Sequence, residues 1–301
     1  MPLWSLLALG AAACTTAADL QLRSLLRHGL TARLAMGASC CITTLLAVPL
    51  ILLLRPAIQP GALLTALAAT ALINGVAFWS YGRALARGEL SLVLPLINLS
   101  PLVLLLSGWL VLGERPSGLV VAGVALLVGG AILLGRSDAL SRGLLRAPGA
   151  RAMLLTAVLW GIGASIDKLG VQAGGSLLWV AGLNLVVGTP LLLGALAAGD
   201  PHQLIASPEG PARELFAGPE GRRRLQQLLA VGLLALVGTA LQMEALRLTA
   251  VVHVVAIKRL STLFGSVIGV LWLGEYSGSL RLPAAALMSG GAVLVLLAAR
   301  S

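Results

Sequence analysis

Ten stretches of this chain are apolar over roughly the length needed to cross a hydrocarbon core: 2–18, 35–54, 60–82, 90–113, 117–135, 152–172, 176–198, 226–246, 249–274 and 282–299. A helix rises about 1.5 Å per residue, so some 20 residues span a core about 30 Å thick. In lipid each backbone N–H and C=O must be satisfied inside the protein, which leaves only helices and closed barrels. These runs are uniformly apolar and lack the alternation of a barrel strand. The expected fold is all-α and integral to the membrane, with ten transmembrane helices. The connections are mostly short, so neighbouring helices form antiparallel hairpins. Of 301 residues, 58% are hydrophobic and only 11% charged, outside the range of soluble globular domains.

A net charge of +10 raises the question of nucleic acid. The arginines sit in short loops between apolar runs and form no single face, so no nucleic-acid partner is expected. They read as topology signals and as contacts to anionic membrane lipids. Cys14, Cys40 and Cys41 have neither a disulfide framework nor metal-ligand spacing and read as small packing residues. The N-terminal run lacks a basic leader and reads as a first span instead of a cleavable signal.

Two connections are longer. Residues 136–151 read as a linker near the midpoint. Residues 199–224, rich in Pro and Gly and closing on Arg222, Arg223 and Arg224, are too broken for one helix and read as a disordered or surface-lying loop.

An internal repeat organises the rest. The fourth run ends in Leu112-Gly113-Glu114 and the ninth in Leu273-Gly274-Glu275, 161 positions later. The same offset pairs Ala84-Leu85 with Ala245-Leu246, Leu99-Ser100 with Leu260-Ser261, and Gly129-Gly130-Ala131 with Gly290-Gly291-Ala292. The chain therefore divides into a five-helix repeat at 1–135, the linker at 136–151 and a second five-helix repeat at 152–301. Five is odd, so the second half must sit inverted relative to the first, an arrangement that serves alternating access around a midplane site.

The stretch from Tyr81 to Gly135 resembles the EamA-type repeat of the drug/metabolite transporter superfamily. The resemblance rests on Tyr81 and Ala84-Leu85 closing the third span, a Pro-containing fourth span, Leu112-Gly113-Glu114-Arg115 at the turn, and Gly129-Gly130 in the fifth. Leu159-Trp160-Gly161 resembles the opening of such a half. It implies a ten-helix secondary transporter whose fifth and tenth helices stand outside the substrate cavity and could form a homodimer contact.

The candidate site centres on Lys258 and Arg259, adjacent cations in the ninth run. A continuous helix would place them roughly 13 Å below the membrane surface. A charge at such depth costs at least about 2.5–3.5 kcal/mol, so it normally faces a cavity or a partner. An Arg fork beside a Lys point charge suits a phosphate or carboxylate. The pair also resembles the phosphate-binding pair of sugar-phosphate/phosphate translocators. The repeat offset sets Asn98 opposite Arg259. Pro95 and Pro101 flank Asn98 and free backbone carbonyls in the fourth span. Trp79, Tyr81 and Trp160 would supply walls, with Asn74 a further polar contact. Glu244 and Asp167 are candidate counter-charges for the cations, and His253 a candidate proton carrier. No metal site, cofactor or catalytic residue is expected.

The expected function is a secondary active exporter or exchanger of a small metabolite in a bacterial cytoplasmic (inner) membrane. It has no nucleotide-binding loop, so a gradient or exchange would drive it. The cations favour an anionic substrate, phosphorylated or carboxylate. The alternative is a neutral or amphipathic metabolite such as an amino acid, with the cations neutralised internally. An integral-membrane enzyme acting on lipid phosphates would need a nucleophile or base clustered beside the cations, and three scattered histidines do not supply it. Positive-inside counting puts both termini outside, whereas the resemblance implies termini in the cytoplasm. Glu114 and Glu275 read as structural groups that accept hydrogen bonds from exposed amides at the start of the next helix.

Overall fold

The computed structural model describes residues 2–88, 93, 96–134, 148–198, 219–261, 263–264, 268 and 281–299. Among them are ten α-helices: α1 (Leu3–Arg27), α2 (Ala32–Leu54), α3 (Pro60–Arg87), α4 (Ser100–Leu112), α5 (Gly118–Leu134), α6 (Ala150–Gly174), α7 (Ser176–Ala197), α8 (Pro219–Leu248), α9 (Val251–Lys258) and α10 (Arg281–Ala298). Six of them, α1, α2, α3, α6, α7 and α8, are long and apolar enough to cross a membrane. Shorter apolar helices cover Ile97–Leu112, Gly118–Leu133 and Ala286–Ala298. Pro95, Gly135, Gly274, Glu275 and most of both long connections lie outside the described residues.

Several helices run past their apolar stretches. α1 continues from residue 18 to Arg27, α3 reaches Arg87, and α8 begins at Pro219, so Arg222, Arg223 and Arg224 belong to its first turns and not to a loop. Long basic side chains allow this because their stems lie along apolar surface while their heads reach water. Arg23 is different: it is buried within α1 and is no loop charge.

Two helices expected to be continuous are broken. A short 3-10 turn, Ile97–Leu99, precedes α4, whose first turn contains Pro101, a residue suited to starting a helix because it lacks the N–H that would need a partner there. α9 ends at Lys258, and Arg259 forms a one-residue irregularity that keeps helical dihedrals (φ −64°, ψ −11°), its N–H still donating to Val255 O at 3.1 Å, before helical residues resume at Leu260 and Ser261. Under the 161-residue offset, Ile97 corresponds to Lys258 and Asn98 to Arg259. The two halves break their fourth helices at equivalent points.

Packing follows the same symmetry. α1 lies along α8 and α3 along α6, while α2 packs on α7 and α5 on α10. Exchanging the halves converts the first pair into the second and leaves the other two unchanged. α4 against α6 and α9 against α1 form a further matched set. This is an all-α membrane fold of two five-helix repeats. Lipid offers no hydrophobic drive between helices, so close approach and cross-helix hydrogen bonds hold them together. A Cβ on Gly123 would meet Gly291 O at 2.8 Å, and one on Gly291 would meet Gly123 O at 2.5 Å, so the α5–α10 contact needs glycine on both sides. Gly118, Gly129 and Gly290 instead face open space. Hydroxyls also bridge helices: Thr43 Oγ1 donates to Gly232 O at 3.1 Å and Ser107 Oγ to Gly161 O at 2.8 Å.

Glu114 does cap a helix, but not the next one. Its Oε2 accepts from the Val251 amide at 3.0 Å, at the start of α9 in the other half. Its Oε1 accepts from Lys168 Nζ of α6 at 2.7 Å. The start of α5 is met by Ser117, whose Oγ accepts from the Val120 amide at 3.4 Å.

Candidate functional site

A cavity of about 180 Å³ lies between the halves, with walls from α1, α2, α3, α6, α7, α8 and α9. The breaks described above shape it. α9 ends at Lys258 with Arg259 as its C-cap, and the negative end of a helix dipole favours cations there. Lys258 and Arg259 both line the cavity. Lys258 Nζ donates to Gln242 Oε1 of α8. Arg259 is buried and stands within electrostatic reach of Tyr81 and Asp19.

Facing them are two carboxylates. Asp19 of α1 and Asp167 of α6 both line the cavity, and both are close enough to Lys258 to interact with its charge. Asp19 Oδ1 accepts from Tyr81 Oη at 2.5 Å. Asp167 Oδ1 accepts from Trp179 Nε1 at 3.2 Å. α1 and α6 are the first helices of their halves, and each carries its Asp about two thirds of the way along. The two carboxylates therefore occupy near-equivalent positions, as do the two helix breaks. Four ionisable groups, two of each sign, share one buried space. This arrangement avoids the several kcal/mol that an unmatched buried charge costs.

The aromatic wall is built on α3 and α6. The Tyr81 and Trp160 rings pack with centroids 4.8 Å apart, and Phe78 meets Trp160 edge-on at 5.6 Å. Asn74 lines the same cavity, its Nδ2 donating to Thr70 Oγ1 at 2.6 Å.

The structure thus brings together Lys258, Arg259, Tyr81, Trp160, Asn74 and Asp167 from the residues singled out in the sequence. The other four stand elsewhere. Asn98 is fully buried outside the cavity's described lining, although its neighbour Ile97 is part of that lining. Trp79 points outward, 37% exposed, with Arg83 stacked over its ring at 4.6 Å. On α3 it lies about 160° round from Tyr81, so only one of the two can face the cavity. Glu244 is engaged by Arg247 at 3.1 Å and by Ser176 Oγ at 2.6 Å, toward the end of α8, and does not pair with the cations. His253 stacks on Trp4 with centroids 5.7 Å apart and shares a 2.8 Å hydrogen bond with Thr249 Oγ1. It lies a turn and a half before Lys258, outside the cavity lining. Asp19 is the ionisable cavity residue that sequence reasoning missed. A register comparison of α1 with α6 would have found it beside Asp167.

Comparison with known proteins agrees with this architecture. The model of the EamA-like transporter family matches twice, over residues 2–136 and 147–297. No curated protein matches the chain. A solved crystal structure, 18% identical in sequence, is similar over 97% of this chain and 96% of its own with a TM-score of 0.66, a likeness of fold alone. Two successive matches to one family model, each covering five helices that face each other across a charged cavity, establish that the chain belongs to the EamA-like transporter family of membrane proteins.

Proposed function

We propose that this protein is a secondary transporter of a small amphoteric metabolite across a bacterial cytoplasmic membrane, working as an exporter or exchanger. The supporting observation is the charge pattern of the cavity: Lys258 and Arg259 face Asp19 and Asp167. A carboxylate or phosphate group on the substrate would meet the two cations, and an ammonium group would meet Asp167. A purely anionic substrate would have to bind beside two carboxylates, Asp167, which the sequence reading offered as a counter-charge, and Asp19, which it did not include. The aromatic wall of Tyr81 and Trp160 suits an apolar body between the two charged groups. At about 180 Å³ the cavity lies below the usual range for drug-sized ligands, about 300–1,000 Å³, which favours a small molecule. The inverted halves supply the means of alternating access, with the broken α4 and α9 as the elements that reseat.

Counterflow in proteoliposomes tests this. Amino acids, amines, mono- and dicarboxylates and phosphorylated sugars are each offered against themselves. Zwitterions are expected to exchange, and Arg259→Ala and Asp167→Asn are each expected to lower their exchange about tenfold, the effect of losing roughly 1.4 kcal/mol. Exchange confined to phosphorylated or dicarboxylate compounds would restore the anionic reading. Variants that exchange as well as wild type would remove the cavity from the mechanism.

A further inference from the structure

The outer face of the α2–α3 hairpin carries a second arrangement, separate from the cavity. Trp79, Arg83 and Arg87 of α3 and Thr31, Ala32 and Arg33 at the start of α2 line a surface depression of about 370 Å³. Arg83 and Arg33 are half-buried, and Arg87 is exposed. The Arg83 guanidinium lies 4.6 Å from the centroid of the Trp79 ring, which holds it over the depression instead of letting it sweep through solvent. The described lining contains three arginines.

Helical spacing extends the arrangement down α3. Residues 72, 76, 79, 83 and 87 follow one another at three- or four-residue steps and form a single stripe. Leu72 is 75% exposed and Val76 43% exposed, on a helix long and apolar enough to span the membrane. From the bilayer interior outward the stripe reads aliphatic, aliphatic, indole, guanidinium, guanidinium. That order matches a phospholipid in profile: acyl chain, glycerol level, phosphate. Tryptophan favours the interfacial depth, and clustered guanidinium groups favour a phosphate oxygen over other acceptors. The first turn of α2, capped by Thr31 whose Oγ1 accepts from the Leu34 amide at 3.3 Å, adds the positive end of a helix dipole to the same spot.

From this geometry we infer that the α2–α3 face is a binding site for one anionic phospholipid, with its phosphate on Arg83 and Arg87 and an acyl chain along Val76 and Leu72. A zwitterionic lipid is disfavoured because its own cation would face the same arginines. The site makes no use of the transport cavity and does not depend on what that cavity carries.

The test uses the purified full-length chain in detergent, titrated with phosphatidylglycerol or phosphatidylcholine, with retained lipid counted by native mass spectrometry. The wild type is expected to prefer phosphatidylglycerol. Arg83→Gln and Arg87→Gln are each expected to lower the preference about fivefold, the usual worth of one basic residue at an anionic surface. Arg222→Gln on α8 serves as a charge-matched control and is expected to leave it unchanged. Phosphatidylglycerol with brominated chains is expected to quench tryptophan fluorescence, and the quenched fraction should disappear in Trp79→Phe. Equal retention of both lipids, or equal losses for Arg222→Gln, would overturn the site in favour of general surface charge. If glycerol phosphate competes as well as the intact lipid, or Trp79→Phe leaves quenching unchanged, the acyl-chain track is overturned.

Discussion

Tyr81 Oη donates to Asp19 Oδ1 at 2.5 Å, deep enough that both side chains are buried. Removing one partner of such a bond leaves the other short of a partner where water is scarce, at a cost of about 1–3 kcal/mol. Tyr81→Phe is therefore expected to lower the unfolding temperature of the purified protein while keeping the packing on Trp160. Asp19→Asn differs because the amide oxygen still accepts from Tyr81, so stability should change little. The cavity, however, loses one of its two negative charges. Counterflow with the substrate panel should then shift toward compounds carrying an extra acid group. A Tyr81→Phe protein as stable as wild type, or an Asp19→Asn protein with unaltered preference, would deny Asp19 this role. The sequence showed Lys258, Arg259 and Asp167 because each stands well inside an apolar run. It hid Asp19 because the first run was ended at residue 18, where the charge begins. A charge marks a span boundary only when it faces lipid or water, and Asp19 faces neither. The same reasoning explains Trp79 and Tyr81: both are polar-edged aromatics near the end of α3, and only the packed helix shows which one turns inward.

Helix identity and order were legible because a span is set by local composition, and all ten apolar runs contain a described helix. The breaks in α4 and α9 were only half visible. Pro101 announces a disturbance in the fourth span, but nothing comparable stands at Lys258 and Arg259, where the repeat offset alone points to an equivalent break. Cross-half capping was not legible at all, since Glu114 could be assigned only to its sequence neighbours. It ties the end of α4 to α6 and the start of α9: Lys168 bridges Glu114 at 2.7 Å and Thr249 O at 3.0 Å, and Glu114 also accepts from the Val251 amide. Glu114→Gln is expected to destabilise the protein by about 1–2 kcal/mol, in the range of a lost helix cap. Lys168→Met should cost a similar amount. Because both side chains belong to one network, the double variant should lose less than the sum, with a coupling of about 0.5–3 kcal/mol. Additive losses in thermal unfolding would show that the two act separately.

Across the whole molecule the basic residues are unevenly divided between the two membrane faces. Arg27, Arg33, Arg87, Arg151, Arg222, Arg223 and Arg224 lie near helix ends on the face where α1 finishes and α2 begins. On the opposite face stand Arg55, Arg115, Lys168 and Arg247. Of these, Lys168 is bound to Glu114 and Arg247 to Glu244. Moving Arg23 from a loop into buried α1 removes one charge from the richer face and does not alter the imbalance. The proposed lipid site lies on that same face, where an anionic headgroup would meet Arg83 and Arg87. By the positive-inside rule the end of α1 is expected in the cytoplasm and its start outside, against the cytoplasmic termini that the family resemblance implies. In a background with Cys14, Cys40 and Cys41 replaced by alanine, Arg55→Cys is then expected to react with a membrane-impermeant thiol reagent in intact cells. Arg223→Cys should react only after the cells are opened. The reverse pattern would invert the assignment and place the arginine-lined depression in the outer leaflet, so the labelling result also fixes which leaflet must supply its lipid.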